Sequence, residues 1–154
     1  MAQLPPRDGP RPETTHPTRA DPHPHQQLTQ IAPADLQEAL FGRATQLSGV
    51  MVRDSCVSVP GARAFRLDPT RAGGPEQAFQ CDHEFAHLHP AYDGSLHLTL
   101  PPALYREVLE SGWGEPHPIS GTMLVFGPRN AQELEVVWTI LRASYQYAAG
   151  DVSQ

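Results

Sequence analysis

The sequence predicts a single α+β domain in which a largely antiparallel sheet has helices packed on one face. Its 154 residues suffice for one domain and leave little over. The predicted elements follow the order α-β-β-β-β-α-β-α, so hairpins fill the middle of the chain and long helical crossovers come late. Hairpins build antiparallel sheets, and amphipathic helices bury their apolar stripe against a sheet face.

The first 27 residues are predicted to be a disordered Pro-rich tail, and the folded domain is predicted to span residues 28–150. The tail holds seven prolines and almost no large apolar side chains. Such a segment cannot bury enough surface to offset the entropy lost on ordering. It also contains His16, His23 and His25. A His-x-His pair can chelate a metal loosely, but a solvated tail is the expected state.

The first predicted helix covers residues 35–47, where apolar side chains recur at helical spacing. Asp35 and Glu38 form a possible capping box at its start. Two strands, residues 55–59 and 62–67, are then predicted about a Pro-Gly turn.

The second half of the chain alternates between strands and helices. A helix is predicted to open at Pro102, which suits a first turn, and to end at Gly112. The last helix covers residues 131–148 and is capped by Asn130. Three strands are predicted, at residues 84–89, 96–100 and 122–126.

Composition excludes several classes of partner. The formal charge of −6 provides no basic face for nucleic acid and no attraction to an anionic membrane. No apolar run approaches the roughly 20 residues needed to cross a bilayer. The beginning of the sequence lacks the apolar core of a signal peptide, so the cytoplasm is the expected location. Cys56 and Cys81 form no CxxC motif and are expected to be inert packing residues.

Three histidines are predicted to share one face of the central hairpin. Alternate side chains of a strand point to opposite faces, so His87 and His89 lie together, and His97 lies opposite the leucines of its own strand. A loop with an odd number of residues, such as 91–95, pairs His89 with His97 and turns every leucine to the core.

Two further residues stand near this patch. His117 lies in a loop that leaves the helix directly after the hairpin, from which it can reach back over the patch. Glu84 points to the opposite face by parity, and would need a bulge or a strand end to join the histidines.

A histidine cluster can carry three kinds of role. Imidazole gives and takes protons near neutral pH, and a cluster keeps some rings neutral because imidazolium charges repel. Three neutral rings can also hold a metal. The third alternative is that exposed strand histidines only bond to their neighbours. Trp113 is either a pocket wall or ordinary core, and Arg129 either binds an anion or is solvated.

These motifs resemble the luciferase-like domain family. The shared pattern is a Glu-apolar-Ala-His-apolar-His strand, Leu-His-Leu, Gly-Trp-Gly-x-x-His-Pro, an apolar strand ending in Pro-Arg-Asn, and a long C-terminal helix. The resemblance covers about the C-terminal half of the chain. The matching segments are residues 84–89, 96–98, 112–118, 123–130 and the helix that follows.

The resemblance implies an oxidoreductase of the oxygenase type, acting on an enolic or acidic organic substrate with molecular oxygen as co-substrate. It implies catalytic, proton-transferring roles for His87, His89, His97 and His117. Glu84 and Trp113 would accompany them in binding the substrate, and Arg129 is a further candidate. No cofactor is expected, and the alternative is a divalent transition metal on His87, His89 and His97.

Two departures from the family pattern bear on the reaction. We expect no counterpart of the apolar N-terminal anchor of the fungal members, and the connection at residues 119–122 looks shorter than the one that the resemblance implies. A shorter cover changes the pocket and therefore the substrate. Light emission is not expected. The alternative function is a non-catalytic module that binds a small molecule or a metal with the same patch.

Overall fold

A six-stranded antiparallel sheet and three α-helices make up residues 3–151, the part of the chain that this computed structural model describes. The helices are α1 (Ala34–Thr45), α2 (Pro102–Ser111) and α3 (Ala131–Ala149). The strands are β1 (Val50–Asp54), β2 (Arg63–Leu67), β3 (Glu84–Leu88), β4 (Leu96–Leu98), β5 (Gly114–Pro116) and β6 (Met123–Val125).

The strands lie in the order β1-β2-β3-β4-β6-β5, and each neighbouring pair is antiparallel. This confirms the α+β class and the predicted order of elements, to which the structure adds the short edge strand β5. None of the helices in residues 3–151 is long and apolar enough to cross a membrane.

The core lies between one face of the sheet and the helices. Leu88, Leu96 and Leu98 are fully buried there, as strand alternation predicts. Leu134, Val137, Ile140 and Leu141 of α3 belong to the same apolar cluster. The sheet thus divides the molecule into an apolar side under the helices and a polar side that carries the histidines.

Two of the three helix ends predicted from the sequence agree with the structure. Asn130 caps α3 by accepting a hydrogen bond from the Glu133 backbone N–H at 2.9 Å. Gly112 ends α2 with φ of +85°, a conformation that glycine adopts without strain. The predicted capping box of α1 is wrong, because Pro33 occupies the N-cap and no side chain caps this helix.

The first predicted strand, residues 55–59, is also wrong. The strand is β1, which pairs with β2 from Val50 opposite Leu67 to Asp54 opposite Arg63. The Ser55 N–H still bonds to the Ala62 carbonyl at 3.3 Å, but the Cys56 N–H turns to the Glu84 carboxylate, which also accepts from the Ser55 hydroxyl. Residues 55–62 therefore form a loop over the polar face.

The N-terminal segment packs against the domain, so the prediction of a disordered tail is wrong for residues 3–27. Leu4 joins the apolar core, and Pro5 accepts a hydrogen bond from the Trp113 indole N–H at 2.6 Å. Thr14 forms a β-bridge with Gln27, and His25 is buried. Prolines have little backbone freedom to lose, so a few anchors suffice to order the segment. Composition alone could not reveal those anchors.

Leu98→Ala should lower the free energy of unfolding by about 2–5 kcal/mol, because it opens a cavity in a packed interior. Chemical denaturation measures the change. Leu28→Ala is the matched control, since Leu28 is 53% exposed and surface changes usually stay within about 0.5 kcal/mol. Equal midpoints for Leu98→Ala and wild type would show that the faces of the sheet are reversed.

Removing residues 1–27 should lower the melting temperature by more than about 4 °C, since the deletion exposes the surface around Trp113 and removes buried His25. Differential scanning calorimetry of the truncated and full chains provides the measurement. An unchanged melting temperature would restore the picture of a solvated tail.

Candidate functional site

A cavity of about 730 Å³ opens over the polar face of the sheet. His87, His89 and His97 lie on its floor, where β3 and β4 meet. Four connections supply most of its walls, at residues 22–26, 57–59, 77–80 and 117–122. The cavity is therefore rigid at its floor and built from loops at its rim.

The three floor histidines share one sheet face and are almost fully buried, at 2%, 3% and 5% exposure. This confirms the predicted patch, with one correction to its register. His97 lies directly opposite His87, and the ladder continues with a His89 N–H bond to the Ser95 carbonyl at 2.9 Å. The predicted pairing of His89 with His97 was two residues out of register. These two rings still meet diagonally, with His97 Nδ1 and His89 Nε2 3.0 Å apart.

Glu84 lies beside the histidines, contrary to the parity prediction. The pairing of β2 with β3 shifts between Phe65 and Arg66, so that Phe65 lies opposite Ala86 and Arg66 opposite Glu84. This bulge turns the buried Glu84 side chain toward His87, whose Nδ1 lies 2.8 Å from the carboxylate. An irregularity in pairing leaves no mark in the sequence of one strand, so parity could not reveal it.

The Glu84 carboxylate also anchors the loop that follows β1. It accepts hydrogen bonds from the Ser55 hydroxyl at 2.9 Å and the Cys56 backbone N–H at 3.1 Å. Cys56 forms a disulfide with Cys81 next to this carboxylate. The prediction of two inert packing cysteines is therefore wrong, because the loop brings two residues distant in sequence together.

The hydrogen-bond partners define which nitrogen of each ring carries a proton. Glu84 accepts from His87 Nδ1, so the lone pair of neutral His87 is on Nε2, which is buried and has no hydrogen-bond partner. His89 Nδ1 lies 2.9 Å from the Ser95 hydroxyl and 3.1 Å from the Asp93 carboxylate. Asp93 is thus more than a turn residue, since its carboxylate orients a ring of the cluster.

A fourth imidazole comes from the N-terminal segment, and the sequence analysis missed its role. His25 Nδ1 is 3.0 Å from His97 Nε2, and His25 Nε2 is 2.8 Å from the Glu115 carboxylate. Glu115 also accepts from the Thr14 hydroxyl at 2.9 Å. The only sequence signal was the count of histidines in the tail, which gave no reason to link them to the hairpin.

His117 reaches back over the cluster, as its loop position predicted. Its ring centroid is 5.4 Å from that of His97 and 5.1 Å from that of His25. His117 Nδ1 accepts hydrogen bonds from the backbone N–H groups of Ile119 and Ser120, at 3.0 and 3.2 Å. The proton of the neutral ring is therefore on Nε2, which makes this side chain a hydrogen-bond donor.

Burial keeps the central rings neutral. It lowers the pKa of His97 well below its usual value, and the neighbouring imidazoles lower it further. Burial also lowers the pKa values of His87 and His117. For Asp93, burial raises the pKa, but hydrogen bonds from His89 and Ser95 outweigh it and the net pKa is lowered. The site thus combines neutral imidazoles with an ionised carboxylate at pH 7.

Two predicted substrate-binding residues lie elsewhere. Trp113 is 3% exposed and belongs to the apolar core, where its indole holds the N-terminal segment. Arg129 bonds to Glu133 at the start of α3 and to Gln30 at 3.0 Å. Neither side chain lines the cavity. Glu84 contacts the cavity only through His87, so it positions a ring instead of touching a substrate.

Fold and site together define a small α+β domain with a histidine-floored cavity. Residues 82–144 match the family model described as Luciferase domain. A luciferase of Armillaria mellea is 31% identical over 175 residues, which cover 98% of this chain and 63% of the relative. A luciferase of Neonothopanus nambi is 33% identical over 93 residues, covering 54% of this chain and 35% of the relative. No solved structure matches the chain significantly.

This chain belongs to the luciferase-like domain family. It spans 63% of the length of the Armillaria relatives that it matches, at 30–31% identity. The family match contains four of the six histidines that line the cavity, namely His87, His89, His97 and His117, while His23 and His25 precede it.

Reducing the Cys56–Cys81 disulfide should lower the free energy of unfolding by about 3 kcal/mol, because the crosslink restricts the unfolded chain. The two cysteines are 25 residues apart in sequence. Urea denaturation with and without reductant measures the effect. The double variant Cys56→Ser/Cys81→Ser should be indifferent to reductant. A wild-type protein equally stable in both conditions would contradict the crosslink.

Proposed function

We propose that this domain is a small-molecule enzyme of the oxygenase type that acts on an enolic or acidic organic substrate. The observation that carries the proposal is a cluster of five neighbouring imidazoles that line one cavity: His25, His87, His89, His97 and His117. Imidazole is the general acid–base best matched to neutral pH. Burial lowers the pKa values of His87 and His97 and so supports their neutral, proton-accepting form.

The reaction begins with proton transfer. A neutral floor imidazole accepts the proton of the enolic group and leaves an electron-rich organic anion. Dioxygen, the second substrate, oxidises this anion by forming a carbon–oxygen bond. The proton then returns from the imidazolium to the terminal peroxide oxygen. The product of these steps is an organic hydroperoxide, so atoms and electrons balance without a further reductant.

His117 is suited to hold the substrate anion. Its Nδ1 is occupied by two backbone N–H groups, so its Nε2–H is available to donate to a substrate oxygen in the cavity. A donor aimed at developing negative charge stabilises the anion more than the neutral substrate, which is how such groups accelerate a reaction.

The cavity supports a small, partly apolar substrate. Its volume of about 730 Å³ falls within the range of about 300–1,000 Å³ typical of small-molecule sites. Val57, Val59, Phe79 and Ile119 supply apolar contacts around the polar floor. Such a lining favours an organic ring or chain that presents one ionisable oxygen to the histidines.

Two further parts of the proposal concern light and location. The Armillaria and Neonothopanus relatives are named luciferases. We propose oxygenation without light emission, because the connection at residues 119–122 lines the cavity and the family resemblance implies a longer one there. Cytoplasmic location stays a prediction. The Cys56–Cys81 disulfide argues against this location, since disulfides persist mainly in oxidising compartments.

Aerobic incubation of the purified chain with a panel of enolic metabolites, followed with an oxygen electrode, tests the proposal. We expect oxygen uptake with at least one compound, and no substrate loss under anaerobic conditions. His117→Ala should slow turnover about 10²–10⁴-fold, as losses of a general acid–base group do. His16→Ala is the control, since His16 is exposed and does not line this cavity.

Absence of oxygen uptake across the panel, or equal rates in His117→Ala and wild type, would count against the enzyme. Saturable binding of an enolic compound without turnover would support the alternative, a non-catalytic module that uses the same patch.

A further inference from the structure

We infer that His87, His89 and His97 bind one divalent transition-metal ion at the floor of the cavity. The proposed function takes a floor imidazole as the proton acceptor, whereas a bound ion would occupy the lone pairs of the floor rings. The metal site is therefore a separate claim, and the two claims can fail separately.

The ring nitrogens are close enough to act as ligands. One nitrogen from each of the three rings lies within 4.8 Å of the others, and all three side chains are buried. Small ring rotations bring such a set to the metal–nitrogen distance of about 2.0–2.1 Å typical of zinc. Imidazole ligands suit zinc, copper, iron and nickel.

The ring nitrogens that face away from the centre of the cluster make the hydrogen bonds that are typical of metal sites. Metal-bound histidines almost always donate their second N–H to a carboxylate or another acceptor, which fixes the ring and its tautomer. His87 does this through Glu84 at 2.8 Å, and His89 does it through Ser95 at 2.9 Å and Asp93 at 3.1 Å. Both rings therefore present a lone pair on Nε2 to the centre of the cluster.

Ring nitrogens crowd the centre of the cluster. His97 Nδ1 lies 3.0 Å from His89 Nε2, and His97 Nε2 lies 3.0 Å from His25 Nδ1. The other nitrogens of His89 and His25 face the carboxylates of Asp93 and Glu115. A cation between the rings would accept nitrogen lone pairs at this crowded centre.

His87 provides the independent observation. Its Nε2 is a buried polar atom without a hydrogen-bond partner, in a side chain that is 3% exposed. Buried polar groups are rarely left unpaired, and an exception calls for a missing partner such as an ion. One cation between the rings would satisfy His87 Nε2 and separate the crowded lone pairs at His97.

The buried carboxyl groups behind the ligand rings also favour a bound cation. Glu84 and Asp93 are both fully buried behind the ligand rings, where an ion offsets the cost of burying their carboxyl groups. The predicted choice against a metal depended partly on the lack of a carboxylate facing the patch. The bulge in β3 removes that objection by placing Glu84 behind His87.

An ion held by three rings would keep coordination positions open toward the cavity. His117 lies outside the ligand set, and its Nε2–H remains available to donate to a substrate oxygen. A second group of possible ligands, Cys56, Cys81 and Glu84, is unsuited because the disulfide removes both thiolates.

Elemental analysis of the full chain, expressed without a polyhistidine tag and purified without chelators, tests the site. We expect about one zinc, iron or copper ion per chain. After dialysis against chelator, a titration with Co²⁺ should saturate at one equivalent with the absorption of a nitrogen-ligated ion. At a hundredfold excess over Kd, Zn²⁺ should raise the melting temperature by about 5–10 °C.

Variants separate ligands from neighbours. His87→Ala and His97→Ala should lose the ion and the Co²⁺ spectrum while keeping the circular dichroism of the wild type. His117→Ala removes an imidazole from the same cavity but should retain the ion, and so should His16→Ala. Glu84→Gln should weaken affinity about 10–100-fold, as loss of a ligand's outer partner does.

A chain that binds no stoichiometric metal and shows no saturable Co²⁺ or Zn²⁺ binding would overturn the inference. Retention of the ion in both His87→Ala and His97→Ala would overturn it as well. Oxygen uptake by metal-free protein would leave the proposed enzyme standing without the metal, whereas a loaded protein with no turnover would leave the metal site without the enzyme.

Discussion

The bulge between β2 and β3 is the constraint on which the site depends. One extra residue in β3 places Phe85 in the apolar core together with Ala86, and it turns Glu84 to the opposite face. Glu84 then fixes the ring of His87 and accepts a hydrogen bond from the Cys56 backbone N–H, which anchors that loop. Bulges re-aim side chains in this way at functional sites. A regular strand would have buried the Glu84 carboxylate among leucines.

The polar face is a layer of buried groups that satisfy one another. Carboxylates stand at its edge, with Glu84, Asp93 and Glu115 each bonded to an imidazole, and rings fill the middle. Such networks stabilise one arrangement when complete and are costly when a member lacks a partner. Here the carboxylates are all paired, whereas His87 Nε2 at the centre has no hydrogen-bond partner within residues 3–151.

The N-terminal segment is part of the site. His25 lies on the cluster, and Thr14 and Arg11 hold Glu115 behind it, the latter at 3.0 Å. The family match begins only at residue 82, so this segment lies outside the motifs that identify the domain.

The sequence by itself determined which side chains share a face, because strand alternation and helix spacing are local. It placed His87, His89 and His97 together, turned the leucines inward and located the cap at Asn130. Tertiary structure alone decided the register of the hairpin, which differs by two residues from the predicted one. It also decided the bulge and the Cys56–Cys81 disulfide, and the burial of the N-terminal segment. Each of these depends on contacts between residues distant in the chain, which no local pattern records.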